Sequence, residues 1–175
     1  MEPALTLDES IAVSRLHALL ELLPSALDRE LAAEGITSFE HRLLAALQAS
    51  EGRRMRLSTL AAITNATLPR LSRVVTGLER KGLVERAPCA EDGRATNAVL
   101  TDAGLATYER TAPRYAAAVR RLVLAGLDEA GVDSLAATTL AVLTNLDPDA
   151  GAKAREAGAP CAADAPTACA ADLAG

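Results

Sequence analysis

The sequence predicts a mainly α-helical protein with one small β-hairpin. Apolar residues recur at three- and four-residue spacings along most of residues 5–147, which is the period of an amphipathic helix. The period changes to that of a strand only between Gly82 and Thr101, on either side of the turn residues Glu91-Asp92-Gly93. The 175 residues are enough for one domain with its own core and a tail.

Residues 1–52 are predicted to form two helices. Apolar side chains at helical spacing run over residues 8–33, and Pro24 is expected to kink or break this first helix. Thr37 or Ser38 caps the second helix, because both side chains can accept a hydrogen bond from a first-turn N–H group.

Residues 53–101 are predicted to form two shorter helices and the hairpin. The helices cover about 58–65 and 67–82, and the two strands cover 83–86 and 98–100. Two helices joined by a tight turn and followed by a two-stranded hairpin are the layout of a winged helix-turn-helix.

Residues 102–147 are predicted to form two long helices. The first ends at Gly126 and contains Pro113, where a bend is expected, and the second covers about 128–146. The remaining residues, 148–175, consist mostly of Ala, Gly and Pro, so we expect a disordered tail in which the alanines permit some helix.

The charge of the chain is unevenly distributed. The whole sequence has 18 basic and 23 acidic residues, a net charge of −5. Between residues 53 and 94, however, nine cations stand against four anions, so this segment is +5 and the remainder is −10. A net positive charge that is confined to a helix-turn-helix and its hairpin favours binding to duplex DNA. Aromatic residues are only 2% of the chain, which argues against stacking on single-stranded nucleic acid.

The candidate DNA contacts are polar and cationic residues of this segment. Side chains in the first turns of the helix at 67–82 can read bases. An Arg before the helix at 58–65 can contact phosphate. An Arg at the hairpin tip can enter the minor groove beside an orienting Asp. An ordinary solvated surface is the alternative for the Arg residues. The candidates are Arg56, Ser58, Thr67, Arg70, Ser72, Arg73, Thr76, Arg86, Asp92 and Arg94.

Five segments together resemble the MarR family of transcriptional regulators. They are Leu60-Ala61, residues 67–78, residues 78–86 (Leu-Glu-Arg-Lys-Gly-Leu-Val-Glu-Arg), Asp92-Gly93-Arg94-Ala95 and residues 100–104 (Leu-Thr-Asp-Ala-Gly). The sequence departs from the family at Leu68-Pro69, where the family often has Pro followed by Ser or Thr.

The resemblance implies a winged helix-turn-helix with long N- and C-terminal dimerisation helices. The first, fifth and sixth helices would join a homodimer that binds a pseudo-palindromic operator. Arg94 would be the minor-groove Arg and Asp92 its partner, and Arg70, Ser72 and Arg73 would be contacts of the recognition helix.

The family analogy also predicts a ligand-responsive repressor. Its ligand crevice would lie near the first two helices, where His17 or His41, with Arg15 or Arg42, could pair with a small aromatic carboxylate or phenolate. A surface histidine or a hydrogen-bonded core histidine is the alternative interpretation of both imidazoles.

The remaining observations limit other functions. The odd cysteine count (Cys89, Cys161 and Cys169), with no signal peptide or apolar membrane segment, favours the cytoplasm. Neither a metal-ligand spacing nor a catalytic motif was found, so we expect no metal, no cofactor, no membrane association and no enzyme activity. Two alternatives stay open: a repressor that senses oxidants through Cys89, and a winged-helix module that binds protein rather than DNA.

Overall fold

The computed structural model describes residues 4–89 and 95–158, and it confirms a mainly helical fold with a small antiparallel sheet. The chain divides into one compact unit that ends at Leu127 and a second that begins at Asp128. The elements in chain order are α1 (Leu7–Leu31), α2 (Ser38–Gln48), β1 (Arg54–Arg56), α3 (Leu57–Ile63), α4 (Leu68–Arg80), β2 (Val84–Pro88), β3 (Thr96–Leu100), α5 (Asp102–Val119), α6 (Glu129–Leu146) and α7 (Pro148–Gly158).

The hydrophobic core of the first unit lies between α2, α3, α4 and the sheet. It is made of leucines at the helical spacing that the sequence predicts, and complete burial of each contributes about 1.5–3 kcal/mol. The leucines with no solvent exposure are Leu31, Leu43, Leu44, Leu47, Leu60, Leu71 and Leu78. This core fixes α4 against the rest of the unit, with the polar face of α4 outward.

The sheet has three strands rather than the predicted two. Strands β2 and β3 form the expected antiparallel pair, in which Val84 lies opposite Leu100. Strand β1 pairs with the other edge of β3, with Met55 opposite Ala98. Sequence periodicity missed β1 because three residues with a single apolar side chain are too few to show an alternation.

Helix α1 is continuous from Leu7 to Leu31, so the predicted break at Pro24 does not occur. Thr6 and Glu9 form a capping box at its start, with Thr6 N donating to the Glu9 carboxylate over 2.7 Å. Proline removes one backbone hydrogen bond from a helix. The Leu20 carbonyl that loses its partner belongs to an exposed turn, where solvent can replace that bond.

Helix α5 is also continuous, through Pro113, and packs on α1 and α2. Its start is set by Thr101, whose hydroxyl accepts from Gly104 N over 3.0 Å and donates to Gly82 O over 2.7 Å. A Cβ atom at Gly104 would overlap the Leu83 carbonyl group, so this position requires glycine. A π-helical turn over Arg120–Leu124 follows α5.

The second unit contains α6 and α7. Asp128 caps α6 by accepting from Gly131 N over 2.8 Å. Helix α7 lies at the start of the predicted tail, where the alanines were expected to permit some helix. Pro148 opens the helix, and the Asp147 carboxylate accepts from two of its N–H groups. Residues 159–175 of the predicted tail lie outside the described residues.

One stretch of the described residues, Leu7–Glu34, is long and apolar enough to cross a membrane by length and composition, with a mean hydropathy of 1.2 in its best window. From the sequence, no apolar membrane segment was predicted. The physical origin is a row of exposed aliphatic side chains on α1, of which Leu19, Leu20 and Leu22 are at least 58% exposed. A helix that packs on a second protein chain shows the same composition.

Candidate nucleic-acid interface

Helices α3 and α4 form the helix-turn-helix, and the turn between them is fixed by local hydrogen bonds. Thr64 Oγ1 donates to Leu60 O over 2.6 Å, and Ala66 N donates to Ala61 O over 2.9 Å. Asn65 has a φ of 52°, a left-handed conformation that asparagine tolerates better than most residues. Helix α4 then starts at Leu68, as the sequence predicts within one residue.

Two predicted contacts, Arg70 and Arg73, lie exposed on the first turns of α4. The Arg70 guanidinium lies 4.7 Å from the centre of the Phe39 ring, a cation–π contact that orients it without neutralising its charge. Arg73 Nε makes a long 3.4 Å hydrogen bond to Pro69 O and is otherwise directed to solvent. Both cations are therefore accessible to a phosphate or a base edge.

Three further predicted residues, Arg56, Ser58 and Ser72, meet at one cleft of about 260 Å³. We call it the α4 cleft; it lies among the starts of α3, α4 and β3. Its complete lining is Arg56, Leu57, Ser58, Leu68, Ser72, Ala95 and Thr96. The structure thus brings the end of β1 close to the first turns of α4.

Arg86 of β2 is bound to the side of α4. Its Nη2 atom donates to Ser72 O over 2.9 Å and to Ser72 Oγ and Thr76 Oγ1 over 3.1 Å each, while Nη1 lies 3.0 Å from Glu79 Oε2. We call these four residues the Arg86 cluster. Because Ser72, Thr76 and Glu79 are four and three residues apart, they share one helix face, and this face is directed at β2.

The C-terminal end of α4 is bound to the start of α2 through Lys81 and Glu40. Lys81 Nζ lies 2.8 Å and 2.9 Å from the two Glu40 carboxylate oxygens and donates to Gly35 O over 2.8 Å. Glu40 is buried and also accepts from Thr37 N over 2.8 Å. The T-x-x-E spacing of residues 37–40 is a capping-box signal in the sequence, whereas the contact with Lys81 joins residues 41 apart and has no local signal.

The hairpin tip lies outside the described residues, and with it the predicted contacts Asp92 and Arg94. The two strands that lead to the tip are described, and Cys89 N donates to Ala95 O over 3.0 Å at their outer end. Cys89 itself is 7% exposed and forms no disulfide in the described part of the chain. Its burial disfavours the thiol reactivity that an oxidant sensor needs.

The four predicted ligand residues have different surroundings. Arg15, His17 and Arg42 are exposed, whereas His41 is buried between α2 and α5. His41 Nδ1 lies 2.9 Å from Thr111 Oγ1, and its ring lies 4.5 Å and 5.5 Å from the centres of two tyrosine rings, Tyr115 and Tyr108. Burial lowers the pKa of His41 below its ordinary value, so the neutral imidazole is favoured.

Within residues 4–89 and 95–158, no group of three or more His, Cys, Asp or Glu side chains is arranged to hold a metal ion. The polar groups of the interface are instead hydroxyl and guanidinium donors, which suit phosphate oxygens and the acceptor atoms of base edges. The lobe from α3 to β3 is therefore a winged-helix surface suited to duplex DNA.

This fold and surface define a winged-helix transcriptional regulator, and comparison with known proteins identifies its family. A sequence model of the MarR family matches residues 34–95. The structure is similar to Sco3205, a MarR family transcriptional regulator from Streptomyces coelicolor solved in complex with DNA, with a TM-score of 0.81, 34% identity, and coverage of 85% of this chain and 93% of that one. The protein belongs to the MarR family of transcriptional regulators.

Two further structures are similar. AbsC, a MarR family transcriptional regulator from S. coelicolor, has a TM-score of 0.78 and 34% identity, with coverage of 83% of this chain and 98% of that one. The S. aureus MepR–DNA complex shares the fold at a TM-score of 0.69 and 22% identity, with coverage of 81% and 99%. A search of curated proteins gives no significant match. Sco3205 and AbsC, the two relatives at 34% identity, are both transcriptional regulators.

Proposed function

We propose that the protein is a homodimeric repressor that binds a pseudo-palindromic duplex operator and responds to a small aromatic or phenolic effector. The observation that carries the DNA-binding part is the exposed pair Arg70 and Arg73 on the first turns of a helix-turn-helix, in a segment of net charge +5 within an acidic chain. The 34%-identical relative Sco3205, which was solved with DNA, supports the same assignment.

The predicted DNA-binding residues fall into four groups. Thr67, Arg70 and Arg73 enter the major groove with the start of α4, and Arg56 and Ser58 approach the phosphate backbone at the start of α3. At the hairpin tip, Arg94 enters the minor groove beside Asp92. The fourth group, Ser72, Thr76 and Arg86, acts on DNA indirectly because these side chains bind one another and fix α4 to the hairpin.

The homodimer is proposed because α1 and α6 have exposed apolar surfaces. Helix α1 has two buried residues in its 25, and α6 has none in its 18. A second copy that covers these surfaces would remove several leucines from water, at about 1.5–3 kcal/mol for each side chain that becomes buried. A dimer would also supply the two recognition helices that a pseudo-palindromic operator requires, about 34–36 Å apart.

The effector response is proposed as a population shift. A small aromatic carboxylate or phenol that binds near α1 and α2 would favour a different spacing of the two recognition helices and so lower operator affinity. Arg15, His17 and Arg42 are the accessible candidates, and His41 contributes through the aromatic contacts of its buried ring. The protein would act in the cytoplasm, as the sequence predicts.

The test of DNA binding is the dependence of duplex affinity on salt concentration. Each phosphate contact contributes about 0.9 to the slope of log affinity against log salt, so Arg73→Gln should lower the slope by about one for each subunit. Arg29→Gln, at an exposed position in the last turn of α1, is the matched control for lost charge and should leave the slope unchanged. Equal slopes for the two variants would contradict the proposed role of α4.

The two alternatives are distinguished in the same assay. A protein-interaction module would bind no duplex at low salt. An oxidant-sensing repressor would lose operator affinity with peroxide, and Cys89→Ser would abolish this response. The burial of Cys89 favours the effector-responsive form over the redox form.

A further inference from the structure

Helix α4 begins with an exposed leucine that has no role in the core. Leu68 is 49% exposed, whereas the other leucines of α4, Leu71 and Leu78, are completely buried. It occupies the first turn, the part of a recognition helix that contacts base edges. An aliphatic side chain at this position suits an apolar partner on the DNA.

The surroundings of Leu68 restrict the kind of DNA group that could contact it. In the α4 cleft, the apolar lining of Leu57, Leu68 and Ala95 is bordered by the hydroxyl groups of Ser58 and Thr96 and by Arg56. A small apolar area within a polar and cationic surface is complementary to an apolar group on DNA, because the DNA around that group is polar and anionic. Ser72, which also lines the cleft, binds Arg86 through its hydroxyl and so contributes less to base reading.

Only one base-edge group in the major groove is distinctly apolar, the C5-methyl group of thymine. We propose that Leu68 contacts a thymine methyl group in each half-site and thereby determines a preference for thymine at that position. This inference rests on the proposed function, because it requires that α4 enters the major groove of a duplex.

The test uses a duplex that the protein binds specifically, in which thymines are replaced one position at a time by deoxyuridine. Deoxyuridine keeps the hydrogen-bonding groups of thymine and lacks only the methyl group. Loss of one buried methyl group corresponds to about a fourfold loss of affinity, so one position in each half-site should show this loss with the wild-type protein. Leu68→Ala should bind the thymine and deoxyuridine duplexes equally well.

Two further variants separate the methyl contact from a general effect. Leu68→Met keeps an apolar side chain of similar size and should keep the sensitivity to deoxyuridine. Ile63→Ala, the matched control, removes a 42% exposed apolar side chain at the end of α3 that does not line the α4 cleft, and it should also keep the sensitivity.

Failure of the Leu68 assignment and failure of the proposed function give different results. Specific binding without a thymine position that responds to deoxyuridine, or a Leu68→Ala variant that responds as strongly as the wild type, would overturn the assignment of Leu68. The absence of specific binding to any duplex would instead overturn the proposed function. Because Leu68 is half-exposed, its replacement by alanine should leave the thermal unfolding temperature nearly unchanged.

Discussion

The recognition helix α4 and the N-terminal helix α1 are stabilised in opposite ways. Helix α4 buries Leu71, Val75 and Leu78, and its polar side chains bind β2 and α2 through the Arg86 cluster and the Lys81–Glu40 pair. Helix α1 is nearly twice as long, yet its only buried residues are Leu27 and Leu31 near its end. The comparison shows that α4 is held in place by contacts within one chain, whereas the apolar face of α1 lacks a covering surface in the described residues.

The largest expected effect comes from charging the apolar face of α1. Leu19→Glu combined with Leu22→Glu replaces two leucines by glutamates in each copy. The proposed dimer interface therefore gains four carboxylates and loses four leucines. Dimer affinity should fall by about 10⁴-fold, since each leucine contributes at least about 1.5 kcal/mol. Sedimentation should show monomers, and operator affinity should fall with dimerisation.

Ala33→Glu is the control for that experiment, because it adds a carboxylate at an exposed position just beyond α1. The control should remain dimeric. A Leu19→Glu/Leu22→Glu protein that also remained dimeric would show that α1 is covered by something other than a second copy.

The packing of the lobe is tested by two glycines with different surroundings. Gly104→Ala forces a Cβ atom into the Leu83 carbonyl and to 2.7 Å from Leu100 Cδ1, and overpacking of this kind costs about 1–3 kcal/mol. Gly77→Ala, inside α4, meets nothing closer than Glu40 Oε1 at 4.0 Å and should stabilise the protein by about 0.5–1 kcal/mol. Thermal unfolding of both variants measures the difference, and a stabilising Gly104→Ala would contradict the packing described for α5.

The role of the Arg86 cluster is tested by the salt slope rather than by affinity alone. Arg86→Gln should weaken specific binding about tenfold, because α4 loses hydrogen bonds of about 1.5 kcal/mol that fix its position. The salt slope should stay at the wild-type value, in contrast to Arg73→Gln, because no phosphate contact is lost. A slope lowered by about one for each subunit would instead identify Arg86 as a phosphate contact.

The smallest effect concerns pH and the contact between α2 and α5. Burial lowers the pKa of His41 in the folded protein, so below its ordinary pKa of about 6.5 the unfolded chain binds more protons. The stability associated with neutral His41 is therefore present above pH 6.5 and is lost as the pH falls below that value. The free energy of unfolding of His41→Gln should decrease less between pH 8 and pH 5 than that of the wild type.

His17→Gln, on the exposed part of α1, is the matched variant for loss of an imidazole. Its free energy of unfolding, measured at the same two pH values, is the reference for the His41→Gln result. A His41→Gln protein with unchanged pH dependence would show that other groups dominate acid destabilisation.

Most helices and strands of the lobe could be predicted from the sequence, because each is indicated by the spacing of apolar residues within its own segment. The spacing of Leu43, Leu44 and Leu47 predicts the buried face of α2, and the switch of period after Gly82 predicts the hairpin. Strand β1 was missed because it has only three residues, and the bounds of α7 were not predicted because its composition resembles that of a tail. Their stability depends on the pairing of β1 with β3 and on the Asp147 cap of α7.

The sequence predicted which residues belong to the candidate site, but it did not predict the contacts between their side chains. Arg70 and Arg73 are exposed on α4, as expected for DNA contacts. The attachment of Arg86 to Ser72 and the pairing of Lys81 with Glu40 join residues 14 and 41 apart, and such contacts depend on how the elements pack rather than on sequence spacing. The exposure of Leu68 likewise became evident only once the burial of its neighbours was known.

The central claim is that two copies of the chain present two α4 helices to one duplex. Selection of bound duplexes from a random pool tests it most directly, since it gives the length, symmetry and spacing of the site together. We expect two inverted half-sites whose centres lie about 10–10.5 base pairs apart. A single asymmetric half-site, or no enrichment of any sequence at low salt, would contradict it.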